Sequence, residues 1–315
     1  MTRFLLRRLA GLAVTLVAVS LVVFVALEVL PGDPARSILG VDAEAAAVAA
    51  LQSELGLNRS APVRYVSWIT GLVRGDFGTS WTYRVPVGNL VIPRLTVTIP
   101  LAVFAMLLSI AVAIPLGLFA ARNHRRVGDV GVMIFGQAGL AVPNFWLGLL
   151  LILLFAVKLD WLPAGDFPGW HSGLKAALTA LLLPVLTLAT VQAAILARIV
   201  RAAVLEISRN DFVRTARAKG LSRRRTLVAH VLRNALVPTT TVIGLQFSYL
   251  LAGTVVIENV FSLDGLGKFV LEAIANRDLP VVETVVLLLA TMVVFVNLLV
   301  DIGYRIIDPR MGEQS

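Results

Sequence analysis

Six stretches of this chain are apolar for long enough to cross a bilayer, and they leave few folds open to it. The hydrocarbon core is about 30 Å thick, so a spanning helix needs roughly 20 mostly apolar residues. Such runs occupy about residues 9–30, 97–121, 131–157, 176–200, 236–258 and 282–304. Backbone in lipid has no water to bond, so runs of this length form helices. The sequence therefore predicts an all-α membrane protein with six transmembrane helices, and an even number of spans puts both termini on one side. The third run carries Pro143 and Asn144 at its centre. It is either one kinked helix or a helix with a broken outer part.

Composition points to the same solvent. Of 315 residues, 58% are hydrophobic and 15% charged, with a mean hydropathy of +0.86. Soluble domains average about 45–50% apolar and about 25% charged, so lipid rather than a protein core must take the excess. The chain has no cysteine, which removes disulfides and thiolate metal sites. His124, His171 and His230 all fall in polar connections, which speaks against a histidine metal or proton site at membrane depth.

The net charge of +9 fits either a nucleic-acid surface or the excess of Lys and Arg in cytoplasmic loops of membrane proteins. Placement decides for the loops. Arg3, Arg7 and Arg8 precede the first run, and Arg122, Arg125 and Arg126 follow the second. Arg201, Arg209, Arg214, Arg217, Lys219, Arg223, Arg224, Arg225 and Arg233 crowd the connection between the fourth and fifth runs, and Arg305 and Arg310 lie in the tail. Each would cost about 2.5–3.5 kcal/mol at the bilayer centre. Both termini and the 201–235 connection are therefore expected in the cytoplasm. The expected division is 1–30 for an N-terminal tip and first helix, 31–96 for an extracytoplasmic segment, 97–304 for a core of five helices with a cytoplasmic loop at 201–238, and 305–315 for a cytoplasmic tail. The first run is longer than a signal-peptide core of about 7–15 residues, so it reads as an uncleaved anchor. Within the extracytoplasmic segment, 42–57 predicts an amphipathic helix capped by Asp42 and stopped near Gly56, and 63–72 predicts a second short helix.

Catalytic patterns are missing. Gly265-Leu-Gly-Lys268 lacks the spacing and the Ser/Thr of a phosphate loop, and no HExxH occurs. Gly78-Thr-Ser80-Trp81 resembles a serine-nucleophile fragment but no span supplies a base, so it reads as a turn. Polar groups in or near the runs are Glu28, Gln137, Asn144, Gln192, Arg198, Gln246, Glu258, Glu283, Asn297 and Asp301. Most lie near span ends, where interfacial capping or snorkelling accounts for them. Gln137, Asn144, Gln192, Gln246 and Asn297 lie deeper. They either line a water-filled translocation path or hydrogen-bond between helices.

The stretch from Asp211 to Pro238 reads as helix, tight turn, helix. Asp211 and Ser222 suit N-caps, and Gly220 admits the left-handed conformation that stops the first helix. Thr226 or Leu227, Val231 and Ala235 recur at helical spacing. Such a unit docks in a groove of a soluble partner or lies on anionic lipid. Tethering between two spans argues against DNA.

Here the sequence resembles a family. Arg214-Thr215-Ala216, then Gly220, looks like the EAA–G loop of ABC-importer membrane subunits. Ala216-Arg217-Ala218-Lys219-Gly220-Leu221-Ser222, His230, Leu232-Arg-Asn-Ala235 and Pro238 resemble its version in the dipeptide, oligopeptide and nickel permeases, where Arg and Thr commonly replace the Glu and first Ala. Further motifs run in the same order: Leu30-Pro-Gly-Asp-Pro-Ala35, Leu55-Gly-Leu57, Gly75-Asp-Phe-Gly-Thr-Ser80, Pro143-Asn-Phe145, Trp161-Leu-Pro-Ala-Gly165, Arg277-Asp-Leu-Pro280, Asn297-Leu-Leu-Val-Asp301 and Asp308-Pro-Arg310. Asp264 and Glu283 depart from the pattern, where Pro and Gln are expected.

The resemblance implies the transmembrane domain of a type I ABC importer in a bacterial inner membrane. It implies a second homologous permease subunit completing a heterodimer, two ABC ATPase subunits and an extracytoplasmic solute-binding protein, with membrane lipid around and no nucleic acid. The chain itself would hold no cofactor and no catalytic residue. ATP and magnesium would sit in the ATPases, which would grip Arg214, Thr215, Ala216, Arg217, Ala218, Lys219, Gly220, Leu221 and Ser222. The implied cargo is a dipeptide or oligopeptide, with nickel chelates, glutathione or opines as alternatives of the same transporter type. A secondary transporter working without an ATPase, and a membrane anchor or receptor, are the readings from other classes.

Overall fold

The computed structural model describes residues 2–29, 32–40 and 42–307. Leu30, Pro31, Asp308, Pro309 and Arg310 of the motifs above lie outside the described residues, as do the side chains of Arg3, Asp301, Tyr304 and Arg305. Among the described residues the structure is helical, apart from one isolated bridge between Thr79 and Pro86.

The helices are α1 (Thr2–Val29), α2 (Pro34–Leu39), α3 (Ala45–Glu54), α4 (Ala61–Val73), α5 (Val87–Arg122), α6 (Val127–Ala141), α7 (Asn144–Leu151), α8 (Leu174–Ile207), α9 (Asp211–Ala218), α10 (Arg223–Thr226), α11 (Arg233–Val260), α12 (Leu266–Ala275) and α13 (Leu279–Ile307). A π-helical stretch Ile152–Lys158 continues α7, and another, Leu227–Leu232, joins α10 to α11. Five helical segments are long and apolar enough to cross a membrane: Arg7–Val29, Val87–Arg122, Leu174–Ile207, Arg223–Val260 and Leu279–Val300. Val127–Ala141 and Asn144–Lys158 make a sixth if counted together, although they meet at 100°. The break decides between the two readings of the third run. Pro143 has no N–H to continue a helix and drives Val142 into an extended conformation, φ −89° and ψ 120°.

Most helices outrun the apolar stretches that announce them. α5 starts at Val87, ten residues before the 97–121 run, because hydropathy marks the lipid-soluble part whereas a helix propagates until its caps. The 42–57 prediction shrinks to α3, whose N-cap position is Glu44 rather than Asp42. The 63–72 prediction is α4. The sequence pattern missed two short helices. α2 is started by Asp33, whose carboxylate accepts from Ala35 N at 2.9 Å. α12 is amphipathic and buries Leu266, Phe269, Val270 and Ala273.

The chain divides into two compact units. The first comprises Met1–Thr98 and Asp264–Val294. In it Phe24 of α1 meets Tyr65 and Trp68 of α4 edge-on and stacked, at 5.3 and 6.5 Å between centroids. Arg64 of α4 pairs with Glu28 at the end of α1. Ala35, Val48 and Leu51 seal α2 against α3. Val14, Val17 and Val22 of α1 are exposed, as a lipid-facing helix requires. The second unit comprises Ile99–Leu263 and Phe295–Ser315. α8 is its buried centre, lined by Ala177, Ala180, Ala189, Ala193, Ala194 and Ala197. Small residues let neighbours approach closely. A Cβ on Gly117 of α5 would lie 2.7 Å from the Ala197 carbonyl, and one on Gly139 of α6 would lie 2.7 Å from Ala194 Cβ. The absent side chains set both helix separations.

Candidate functional site

The segment joining α8 to α11 turns on Gly220. The Leu221 N–H donates to Ala216 O at 3.3 Å and the Gly220 N–H to Arg217 O at 2.9 Å, a Schellman closure. Its geometry demands a left-handed residue, and Gly220 has φ +84°. Two residues on, Ser222 Oγ accepts from Arg225 N at 3.4 Å and starts α10. The start of α9 differs from expectation: Asn210 occupies the N-cap position and Asp211 is the first helical residue.

One face of this unit is anchored. Val213, Ala216, Val231 and Ala235 pack with Ala121 of α5 and with Val200, Ala203 and Val204 of α8. Thr226 is also buried. The other face is open and basic. Of the nine residues singled out from the sequence, Arg214, Thr215, Arg217, Ala218, Lys219, Gly220 and Ser222 are exposed, Leu221 is half-buried, and Ala216 is inside the anchor. Phe212, 42% exposed on the open face, was not singled out. Its signal was present: it sits about 100° around the helix from buried Val213.

A polar lock that the sequence pattern missed holds the same end of α8. Asp129, in the first turn of α6 and nearly fully buried, accepts from Arg201 Nη2 at 2.7 Å and from Arg125 N at 2.9 Å, with His124 Nδ1 at 3.2 Å. Arg201 Nε reaches its second oxygen, so the guanidinium binds in a fork. Basic excess in this stretch drew attention to charge sign and away from the one acid that Arg201 needs.

The five deeper polar residues do not form one cluster. Gln246 of α11 donates to Gln192 of α8 at 2.9 Å, both buried. Gln137 of α6 is exposed and accepts from Arg198 at 3.2 Å. Asn144, at the start of α7, has Nδ2 3.7 Å from where a Cβ on Gly253 would stand. Asn297 Oδ1 comes within 3.2 Å of a Cβ placed on Gly244. Each of the five packs against, or bonds to, a neighbouring helix. Glu258 differs from the interfacial expectation: it is wholly buried in the second unit.

The first unit holds a comparable clamp. Asp278, 1% exposed and just before α13, accepts from Ser80 Oγ and from the N–H groups of Trp81 and Thr82, the latter two at 3.1 Å. Ser80 Oγ in turn accepts from Tyr83 N at 3.0 Å. Ser80 thus opens a turn over residues 81–83, and the Gly78–Trp81 fragment read as a turn from the sequence leads into it, with Thr79 bridged to Pro86.

Known proteins resemble this chain along nearly its whole length. Residues 113–313 match the family model described as binding-protein-dependent transport system inner membrane component, and residues 1–102 match the N-terminal membrane component of the same systems. A probable peptide ABC transporter permease protein of Sinorhizobium fredii is 40% identical over 98% of both chains. A putative peptide transport system permease protein of Brucella suis is 40% identical over 99% of both. A glutathione transport system permease protein of Salmonella choleraesuis is 37% identical over 98% of both. Among solved structures, an amino acid ABC transporter with histidines aligns with a TM-score of 0.50 at 16% identity, covering 69% of this chain and 94% of that one, a likeness of fold alone.

Proposed function

The chain belongs to the binding-protein-dependent transport system inner membrane component family, and from that premise we propose that it forms one half of the channel of an ATP-driven importer of short peptides. Relatives named as peptide permeases support the cargo, and the glutathione relative falls in the same size class. A second, similar permease subunit completes the channel, and a solute-binding protein delivers the peptide from outside. The sequence carries no phosphate loop, so ATP and magnesium belong to two partner ATPases.

One observation carries the coupling role. The α9–α10 unit is anchored on one face to α5 and α8 and leaves the other face open, basic and closed by a glycine turn. An element packed this way moves with the helices that hold it. ATPase closure pushes on Phe212, Arg214, Arg217, Lys219 and their exposed neighbours. Val213 and Ala216 pass the displacement to α8, a rigid-body switch between inward- and outward-facing states.

The absence of cysteine makes the topology directly testable. Arg217→Cys should react with an impermeant maleimide in inverted vesicles and not in intact cells, and the chain should purify with ATPase subunits. Labelling from outside, or solute uptake by the solitary chain under an ion gradient, would overturn the reading.

A further inference from the structure

Glu283 lies in the second turn of α13 and is 9% exposed. Among the described residues it accepts no hydrogen bond and makes no ion pair. The cation whose charge it feels is Arg64, and Glu28 already engages that guanidinium with both carboxylate oxygens. Glu28, Arg64 and Glu283 together are one positive charge short. A buried carboxyl without a cation avoids the cost of a lone charge by holding a proton, and it ionises when a cation arrives to pair with it.

Glu283 lines a recess of about 500 Å3 in the first unit, within the range of about 300–1,000 Å3 typical of small-ligand sites. Trp68 and Trp81 are among its walls. Arg59 and Arg84 also line it but are exposed, with Arg84 sharing Glu54 and Arg59 forming no ion pair among the described residues. Arg64 lines it too, with its charge taken up by Glu28, and Glu54 and Asp76 add carboxylates, so the recess holds more acid than free cation and Glu283 is its buried carboxyl without a partner. The turn that brings Trp81 is fixed by Asp278, so this wall exists before any ligand arrives.

We propose that this recess binds the primary ammonium group of a short zwitterionic solute, with Glu283 as counter-ion. Trp68 and Trp81 supply aromatic walls beside the cation, and the carboxylate end lies toward Arg59 at the rim. A metal ion suits the site poorly, since the described residues hold no group of three His, Cys, Asp or Glu side chains and hard cations take six or more oxygen ligands. The identity of the solute rests on the peptide-permease reading. The ammonium site follows from the lining.

Two measurements on the assembled permease–ATPase complex separate those claims. Without binding protein, hydrogen exchange of the segments that hold Trp81 and Glu283 is followed by mass spectrometry. Alanyl-alanine should slow it severalfold, and N-acetyl-alanyl-alanine should not. Protection by neither peptide, or by both alike, overturns the ammonium site whatever the transporter carries. With binding protein in proteoliposomes, Glu283→Gln should lose about tenfold of the preference for the free-amine peptide, the scale of one charge-assisted contact. Capture by the binding protein, measured alone, is the baseline for that ratio. An unchanged preference in Glu283→Gln also counts against the site. Selective protection of those segments without any peptide uptake keeps the site and refutes the peptide-importer reading.

Discussion

Gly220 separates turn geometry from partner docking, because the space around it is empty. A Cβ built there meets nothing within 4 Å, so an alanine clashes with no side chain and suffers only from φ +84°. That conformation costs an L-residue about 1–2 kcal/mol. The flanking helices are pinned by Val213, Ala216, Val231 and Ala235, so the cost falls on the turn itself. A penalty of that size lowers the ratio of native to altered turn roughly 5–30-fold. Uptake and ATP hydrolysis by the reconstituted complex read the consequence. Gly220→Ala should cut uptake by up to that factor, and Gly220→Asn by less, since asparagine tolerates the left-handed region. Gly220→Trp suffers the same backbone strain and also fills the space a partner would occupy, so uptake should vanish while ATP hydrolysis becomes uncoupled. Wild-type uptake by Gly220→Ala would refute the geometric argument. Equal loss in Gly220→Ala and Gly220→Trp would refute the claim that a partner covers this turn.

Asp278→Ala strips three donors of their acceptor, each worth about 1–3 kcal/mol when left buried. Hydrogen exchange at the amides of residues 81–83 should accelerate by orders of magnitude, and Ser80→Ala should do less. Arg201→Leu leaves Asp129 as an uncompensated buried charge and should cost about 3–5 kcal/mol, read as lost thermal stability of the purified protein. The double variant Asp129→Leu, Arg201→Leu should regain much of that, and an additive loss would argue against the lock. The Gln192–Gln246 bond should be worth about 1 kcal/mol in lipid, so the double leucine variant should stay folded. Lost uptake in that stable variant would assign the pair to the translocation path, and full uptake would leave it as helix glue.

The sequence alone determined the solvent, the number of apolar runs and the helix–glycine–helix segment. Each depends on residues close together in the chain: twenty apolar neighbours, a capping serine, or a glycine where a helix must stop. It showed Thr226, Val231 and Ala235 at helical spacing and offered that face to a partner groove or to lipid, whereas the face packs inside the protein on α5 and α8. Pro143 marked the third run without saying whether it bends or breaks. The 100° corner emerged only with the packing of α6 and α7 on α8.

Tertiary structure decided which polar groups meet. Ser80 and Asp278 are 198 residues apart, Asp129 and Arg201 are 72 apart, and Gln192 and Gln246 are 54 apart. Both members of the first pair stood in quoted motifs, yet nothing local joined them. Ala216 looked like part of a docking surface and proved to be an anchor. Phe212 escaped notice and proved exposed. Glu283 differed from its resemblance by one atom type, and only the fold showed that it lies in a recess without a cation of its own. Periodicity and capping are properties of adjacent backbone. Burial and charge pairing arise when distant side chains displace water from one another, and that depends on how the helices pack.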